Sequence, residues 1–273
     1  MANKPVEIVQ NCCTAGTYKG GLSVPNWLMR SFMAGMYIAV GGALATVCGT
    51  GLDTGVAPGM KSLIAGAVFP VGLIAIVLTG MELFTGDCML MPVACLNKKL
   101  AVKRMLMAWF WVYIGNFVGS IFWAYIMAVG PCVKGGGAEL TAFGQNAIAI
   151  AEGKVLPYIA QGGMGWWSAM LKGVACNILV NVAILLAFSS KNMIGKFFGI
   201  WFPIMAFVAT GFEHSVANMY FIPTGIMLGA HVSWVDFLAW NLAPVTLGNI
   251  IGGMVFIGFV YQYAFKGELP KET

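Results

Sequence analysis

Six long apolar stretches dominate this sequence, and they leave few ways for it to fold. A helix crosses a bilayer with about 20 apolar residues. Residues 31–50, 105–131, 166–188 and 237–265 each fit one such crossing. Residues 62–97 and 197–231 run to about 35 residues each, too long for one straight helix across a bilayer and too short for two. Each is interrupted near its middle by glycine and polar residues, so each reads as one crossing with a broken centre. The expectation is an all-α membrane protein of six transmembrane helices.

Composition agrees. Only 9% of the residues are charged and 59% are apolar, whereas an ordinary soluble domain is about a quarter charged. That is too little charge to coat a water-soluble body, and lipid removes the need for a coat. The net charge of +5 does not indicate nucleic acid, because the 15 Lys and Arg are scattered in short clusters between the apolar stretches. With six crossings both termini share a side, and that side holds eleven of the 15, Lys271 of the tail included, against four on the other. The bias places both termini in the cytoplasm and the Gly-rich loop 132–165 outside. The whole chain, 1–273, then forms one transmembrane domain: a cytoplasmic N-terminal segment 1–26, a six-span core 27–265 and a cytoplasmic tail 266–273. The first 26 residues contain Lys4, Glu7 and Lys19 and lack a long apolar core, so they fit a short interfacial helix rather than a cleaved signal. Seven cysteines with no C-x-x-C pair read as small hydrophobes rather than as a disulfide framework or metal site.

The two halves of the chain echo each other. Thr79-Gly80-x-Glu82 in the second span recurs as Thr210-Gly211-x-Glu213 in the fifth. Gly115-Asn116-x-x-Gly119 in the third recurs as Gly248-Asn249-x-x-Gly252 in the sixth. Three spans per half is an odd number, so the halves are expected to be inverted repeats. In such folds a permeation or binding site lies near the midplane, at the interrupted helices. The glycines suit close helix packing. Asn116 and Asn249 suit either cross-helix bonding or support of a pore.

Glu82, Asp87, Glu213 and His214 all fall inside the two long stretches. A charge at membrane depth costs roughly 2.5–3.5 kcal/mol, so these groups are expected to face a cavity, to pair, or to stabilise broken backbone. Glu82 and Glu213 are read as acceptors for backbone N–H groups freed at the breaks. His214 replaces Leu83 of the first half, so symmetry does not require it. An imidazole beside a helix break can both donate and accept a proton, which makes His214 the leading candidate for chemistry. No metal-ligand spacing, phosphate loop or nucleophile motif is present, so no cofactor, no metal and no enzyme activity are expected.

These residues resemble the formate/nitrite transporter family. Glu82-Leu83-Phe84-Thr85-Gly86 is similar to its second-span loop, and Gly211-Phe212-Glu213-His214-Ser215-Val216-Ala217-Asn218-Met219 to its most specific signature. Lys172-Gly173-Val174-Ala175-Cys176-Asn177 and Pro244-Val245-Thr246-Leu247-Gly248-Asn249-Ile250-Ile251-Gly252-Gly253 match its fourth and sixth spans. The similarity covers about 29–263. The resemblance implies an aquaporin-like protomer in a homopentamer, each protomer with its own pore and two apolar constrictions around a chamber. By motif position Leu73, Leu83 and Phe84 would form one constriction and Phe207 the other. Thr85 and His214 would line the chamber beside Glu213, and Asn177 and Asn249 would support it. Lys154 would be the anion-attracting vestibule lysine, although more residues than usual separate it from Asn177, and Lys172 is the alternative. Asn181 stands where the family often has Cys. The first helix would gate the cytoplasmic mouth.

The expected function is therefore a cell-membrane channel passing formate together with a proton, assisted at His214. Nitrite or hydrosulfide as cargo, or a neutral-solute channel, are the alternatives. The paired Asn-Pro-Ala breaks of aquaporins are absent, since Met219 follows Asn218.

Overall fold

Backbone without water must satisfy its own N–H and C=O groups, which restricts an apolar chain to helices or a closed barrel. The computed structural model describes residues 2–52, 57 and 59–269, and here the apolar stretches are helical, with interruptions inside the two long ones. In chain order the helices are α1 (Pro5–Gly20), α2 (Val24–Gly49), α3 (Met60–Val68), α4 (Val71–Thr79), α5 (Phe84–Leu96), α6 (Val102–Val129), α7 (Ala142–Gly153), α8 (Leu156–Ala160), α9 (Gly163–Ser189), α10 (Met193–Ala209), α11 (Ser215–Met227) and α12 (Trp234–Ala264). Among the described residues, five helical segments are long and apolar enough to cross a membrane: α2, α3 with α4, α6, α9 and α12. The fifth apolar stretch is divided between α10 and α11, each too short to cross alone. Residues 270–273 of the expected tail, Lys271 among them, lie outside the described residues.

The two broken stretches are built alike. α4 ends at Thr79, Gly80 turns left-handed at φ 75°, residues 81–83 are non-helical with Leu83 extended, and α5 begins at Phe84. α10 ends at Ala209, Gly211 turns at φ 74°, residues 212–214 are non-helical with His214 extended, and α11 begins at Ser215. A left-handed glycine stops a helix without the steric cost of a Cβ. The second stretch also bends at Phe69–Pro70, a break without a counterpart in the repeat pattern.

The recurrent glycines bring helices together. A Cβ on Gly115 or Gly119 of α6 would collide with Ser31 or Phe32 of α2, and a Cβ on Gly248 or Gly252 of α12 with Met170 or Val174 of α9. The two halves thus share one packing rule, α6 on α2 and α12 on α9. α12 is π-helical over Phe237–Leu242 and Gly252–Phe259. The second π segment starts where Gly253 lies against the Asn177 and Asn181 amides.

Two segments carry more structure than expected. The N-terminal segment is docked onto the core: Gly16 of α1 sits against the Leu90 carbonyl of α5, and Asn3 bonds to Phe188 and Ser189 at the end of α9. The loop 132–165 contains a hairpin, Val133–Lys134 with Glu139–Leu140, followed by α7 and α8. α7 packs on α11, where Gly225 meets Ala147 and Ala151, and this contact carries Lys154, at the end of α7, over the second break.

Candidate functional site

Each helix break leaves backbone groups that must find partners. Asn116 meets this need at the first. Its Oδ1 accepts from the Phe84 N–H at 3.0 Å, and its Nδ2 donates to the Ser31 and Glu82 carbonyls at 2.8 and 3.0 Å. Asn249 repeats the arrangement at the second break. Its Oδ1 accepts from the Ser215 N–H at 2.9 Å, and its Nδ2 donates to the Gly173 and Glu213 carbonyls at 2.8 and 3.1 Å. Both asparagines are fully buried.

The glutamates do not take backbone N–H groups as expected; they hold lysines. Glu82 Oε2 accepts from Lys19 Nζ of α1 at 2.7 Å, and Arg30 lies 3.9 Å from its other oxygen. Glu213 Oε2 accepts from Lys154 Nζ at 2.8 Å and from Asn218 Nδ2 at 2.8 Å, while Oε1 accepts from the Tyr158 hydroxyl at 3.0 Å. The asparagines already serve the freed backbone, which leaves each carboxylate to neutralise a cation. Burial, then the Glu213 charge, pushes the Tyr158 phenol above its ordinary pKa, so it stays a donor. Lys172 does not reach Glu213 directly; its Nζ donates to the Tyr158 hydroxyl at 3.2 Å. Burial opposes the Lys19 ammonium, but Asp87 and Glu82 outweigh it and hold its pKa above the usual lysine value.

Between the breaks lie Thr85 and His214, both buried. His214 caps α11: its Nδ1 accepts from the Ala217 N–H at 3.0 Å. An accepting Nδ1 leaves the ring's proton on Nε2, which lies 3.0 Å from Thr85 Oγ1 and donates to it. The Thr85 hydroxyl hydrogen is then available for another acceptor. The Thr85 carbonyl is held by the Nδ2 groups of Asn177 at 3.1 Å and Asn181 at 3.2 Å. Asn177 also donates to the Asn249 carbonyl, joining the two breaks.

One cavity lies on either side of this pair, and the two share no lining residue. A cavity of about 260 Å³ reaches His214 and Phe207 and carries Lys154 in its wall, with Lys61 held to Asn146 at 3.3 Å. A cavity of about 470 Å³ reaches Leu73 and Leu83 and carries Lys19, Arg30 and Glu82. Phe207 stacks on the His214 ring at 5.8 Å between centroids and meets Phe69 edge-on at 5.7 Å. Apolar side chains thus line both cavities near the Thr85–His214 pair, Phe207 and Phe69 on one side and Leu73 and Leu83 on the other. Phe84 departs from its expected placement. Its ring packs edge-on against Tyr113 and Trp109, at 4.9 and 5.9 Å, facing a groove between α6 and α12 rather than either cavity. As first residue of α5, immediately after Leu83, it points the other way.

Sequence reasoning missed Lys19, Tyr158 and Phe69 as neighbours of the site. Lys19 carries a readable signal, a single lysine in the last turn of a segment ahead of the first span. Phe69 is an aromatic ahead of Pro70, four residues before Leu73, and nothing in the pattern singles it out.

Residues 6–263 match the formate/nitrite transporter family. The chain is 43% identical to a probable formate transporter of Methanothermobacter thermautotrophicus, over 97% of both chains. It is 37% identical to a formate channel of Bacillus thuringiensis, again over 97% of both. Among solved structures it resembles a pentameric formate channel with formate bound, with a TM-score of 0.74 and 32% identity, covering 89% of this chain and 98% of that one. A second likeness, to an ion channel of the same family, has a TM-score of 0.77 and 29% identity, covering 94% and 98%.

Proposed function

Because the chain belongs to the formate/nitrite transporter family, we propose that it forms a multi-pass membrane pore for formate, with proton assistance at His214. In this reading α10 and α11 together make the fifth of six crossings, the halves are inverted, and five copies assemble with one pore each. Both termini lie in the cytoplasm, so the Lys19 cavity is the inner mouth and the Lys154 cavity the outer one. The observation that carries the reading is the buried Thr85–His214 pair between two separate cavities, each with a lysine in its wall.

Positive charge at the Lys154 mouth draws anions in. Leu73 and Leu83 on one side, and Phe69 and Phe207 on the other, oppose a bare charge because desolvation is expensive. Between them the Thr85 hydroxyl, itself accepting from His214 Nε2, offers its hydrogen to a carboxylate. The single ring proton sits on Nε2 while Nδ1 is committed to Ala217, so donating it outright would leave an imidazolate. The assistance is therefore hydrogen bonding: His214 and Thr85 hold the anion while a proton arriving through water converts it to the neutral acid that passes the apolar wall.

The test is uptake into liposomes holding the purified protein, with formate, nitrite, hydrosulfide and glycerol compared at two pH values. Formate flux that saturates and strengthens in acid is expected. Preference for nitrite or hydrosulfide changes the cargo and keeps the pathway. Glycerol flux without anion flux overturns the roles given to His214 and Lys154.

A further inference from the structure

The charged groups around the two breaks correspond, with Asp87 as the exception among the carboxylates. On the Lys154 side two cations serve one carboxylate: Lys154 binds Glu213 at 2.8 Å, and Lys172 reaches it through the Tyr158 hydroxyl. On the Lys19 side two cations face two carboxylates. Lys19 Nζ lies 2.7 Å from Glu82 and 3.2 Å from Asp87, and Arg30 lies 3.9 Å from Glu82. Glu82 and Glu213 are repeat partners, and the residue five places beyond each is Asp87 in one half and Asn218 in the other. The side chains are nearly the same shape; only the charge differs. Asn218 donates to Glu213 at 2.8 Å and to Asn241 at 2.7 Å. Asp87 is fully buried; its Oδ1 pairs with the Lys19 ammonium at 3.2 Å, and neither carboxylate oxygen accepts a hydrogen bond among the described residues. Packing does not require a carboxylate here, since the other half fills the equivalent place with an amide. A buried charge is retained at a cost.

We propose that Asp87 makes the pore rectify. It balances the second cation of the Lys19–Arg30 cluster, while the Lys154–Lys172 cluster around Glu213 keeps one unit of positive charge in excess, in a cavity whose wall also carries Lys61, so anions are gathered more effectively at the Lys154 mouth. The inference rests on the reading of the chain as a formate pore. It concerns rates at limiting formate from each side; the equilibrium distribution is untouched. One unit charge at roughly 8 Å, in a water-filled mouth of dielectric about 45–80, changes local anion concentration about two- to fivefold.

The experiment compares initial formate uptake in right-side-out and inverted membrane vesicles carrying the full chain, at matched pH above neutrality. In the wild type the half-saturating formate concentration is expected to be about two- to fivefold lower in right-side-out vesicles, where the Lys154 mouth faces out. Asp87→Asn should lower the inverted-vesicle value by a similar factor and leave the other in place. Asn218→Asp, which puts the carboxylate into the opposite half, should raise the right-side-out value. Salt near 1 M, where the screening length falls to about 3 Å, should shrink the wild-type difference. Equal wild-type values alongside robust flux, or an Asp87→Asn protein that transports with an unchanged inverted-vesicle value, overturn the inference alone. If Asp87→Asn fails to reach the membrane, an unchanged right-side-out value in Asn218→Asp overturns it instead. Absence of saturable formate flux in every vesicle overturns the formate reading and the inference with it.

Discussion

Asn116 and Asn249 each satisfy two backbone groups at a helix break and donate to a third carbonyl on a neighbouring helix. Replacing either with alanine strands those groups in a buried site, where each unsatisfied group costs about 1–3 kcal/mol. Asn116→Ala and Asn249→Ala are each expected to lose about 2–4 kcal/mol, because neighbouring groups re-pair in part. The loss should appear as a lowered unfolding midpoint in detergent and be similar for the two variants. A wild-type midpoint in either contradicts the capping role. The sequence pattern picked out both asparagines and left their purpose open between packing and pore support. The flanking glycines do the packing, and the amides close the breaks. The glutamates were misread because residue type at a break does not say which donor arrives. Lys19 and Lys154 come from 63 and 59 residues away in the chain, a distance only the fold closes.

Among the elements, α1 was the least legible. It mixes Lys4, Glu7 and Lys19 with a faint apolar periodicity, and its docking runs through glycine: Gly16 on the Leu90 carbonyl and Gly20 on the Leu100 side chain. Contacts of that kind leave no hydrophobic signature. Cys12 sits inside this interface, and burial, with Cys13 beside it, pushes its thiol up to about 12. A chain keeping only Cys12 should therefore react slowly with a thiolate-seeking reagent near neutral pH. Gly16→Val introduces a clash with the α5 backbone and should accelerate Cys12 labelling at least tenfold, by the roughly thousandfold rise in thiolate fraction that a return toward an ordinary thiol pKa allows. Labelling as slow as in the unaltered helix contradicts the docked arrangement. The long helices, by contrast, were plain from length and hydropathy alone. Their observed ends differ from the expected ones by a few residues, and the π segments of α12 had no sequence signal beyond Gly252-Gly253.

Across the whole molecule, the architecture follows from repeating one solution twice. A long helix packs through G-N-x-x-G onto another, and the same asparagine caps a break whose glutamate holds a lysine. The repetition was visible in the motifs, and two departures from it, His214 opposite Leu83 and Asp87 opposite Asn218, are the positions to which the proposals assign function. Phe84 shows the limit of motif reading: adjacent to Leu83 in sequence, it faces the opposite direction because α5 begins there. The central claim is that the His214–Thr85 pair assists the conversion of formate to its neutral acid. The most direct test follows formate flux through liposome-reconstituted wild type and His214→Asn between about pH 5 and 8, the range in which histidine chemistry operates. Asparagine is a strong helix N-cap, so it can replace the bond to Ala217 and keep the fold, but it lacks the ring N–H that reaches Thr85. Wild-type flux should rise as pH falls, since acid supplies the proton, and His214→Asn should show flux about tenfold lower with a changed pH dependence. A folded His214→Asn protein with the wild-type rate and pH profile contradicts the account.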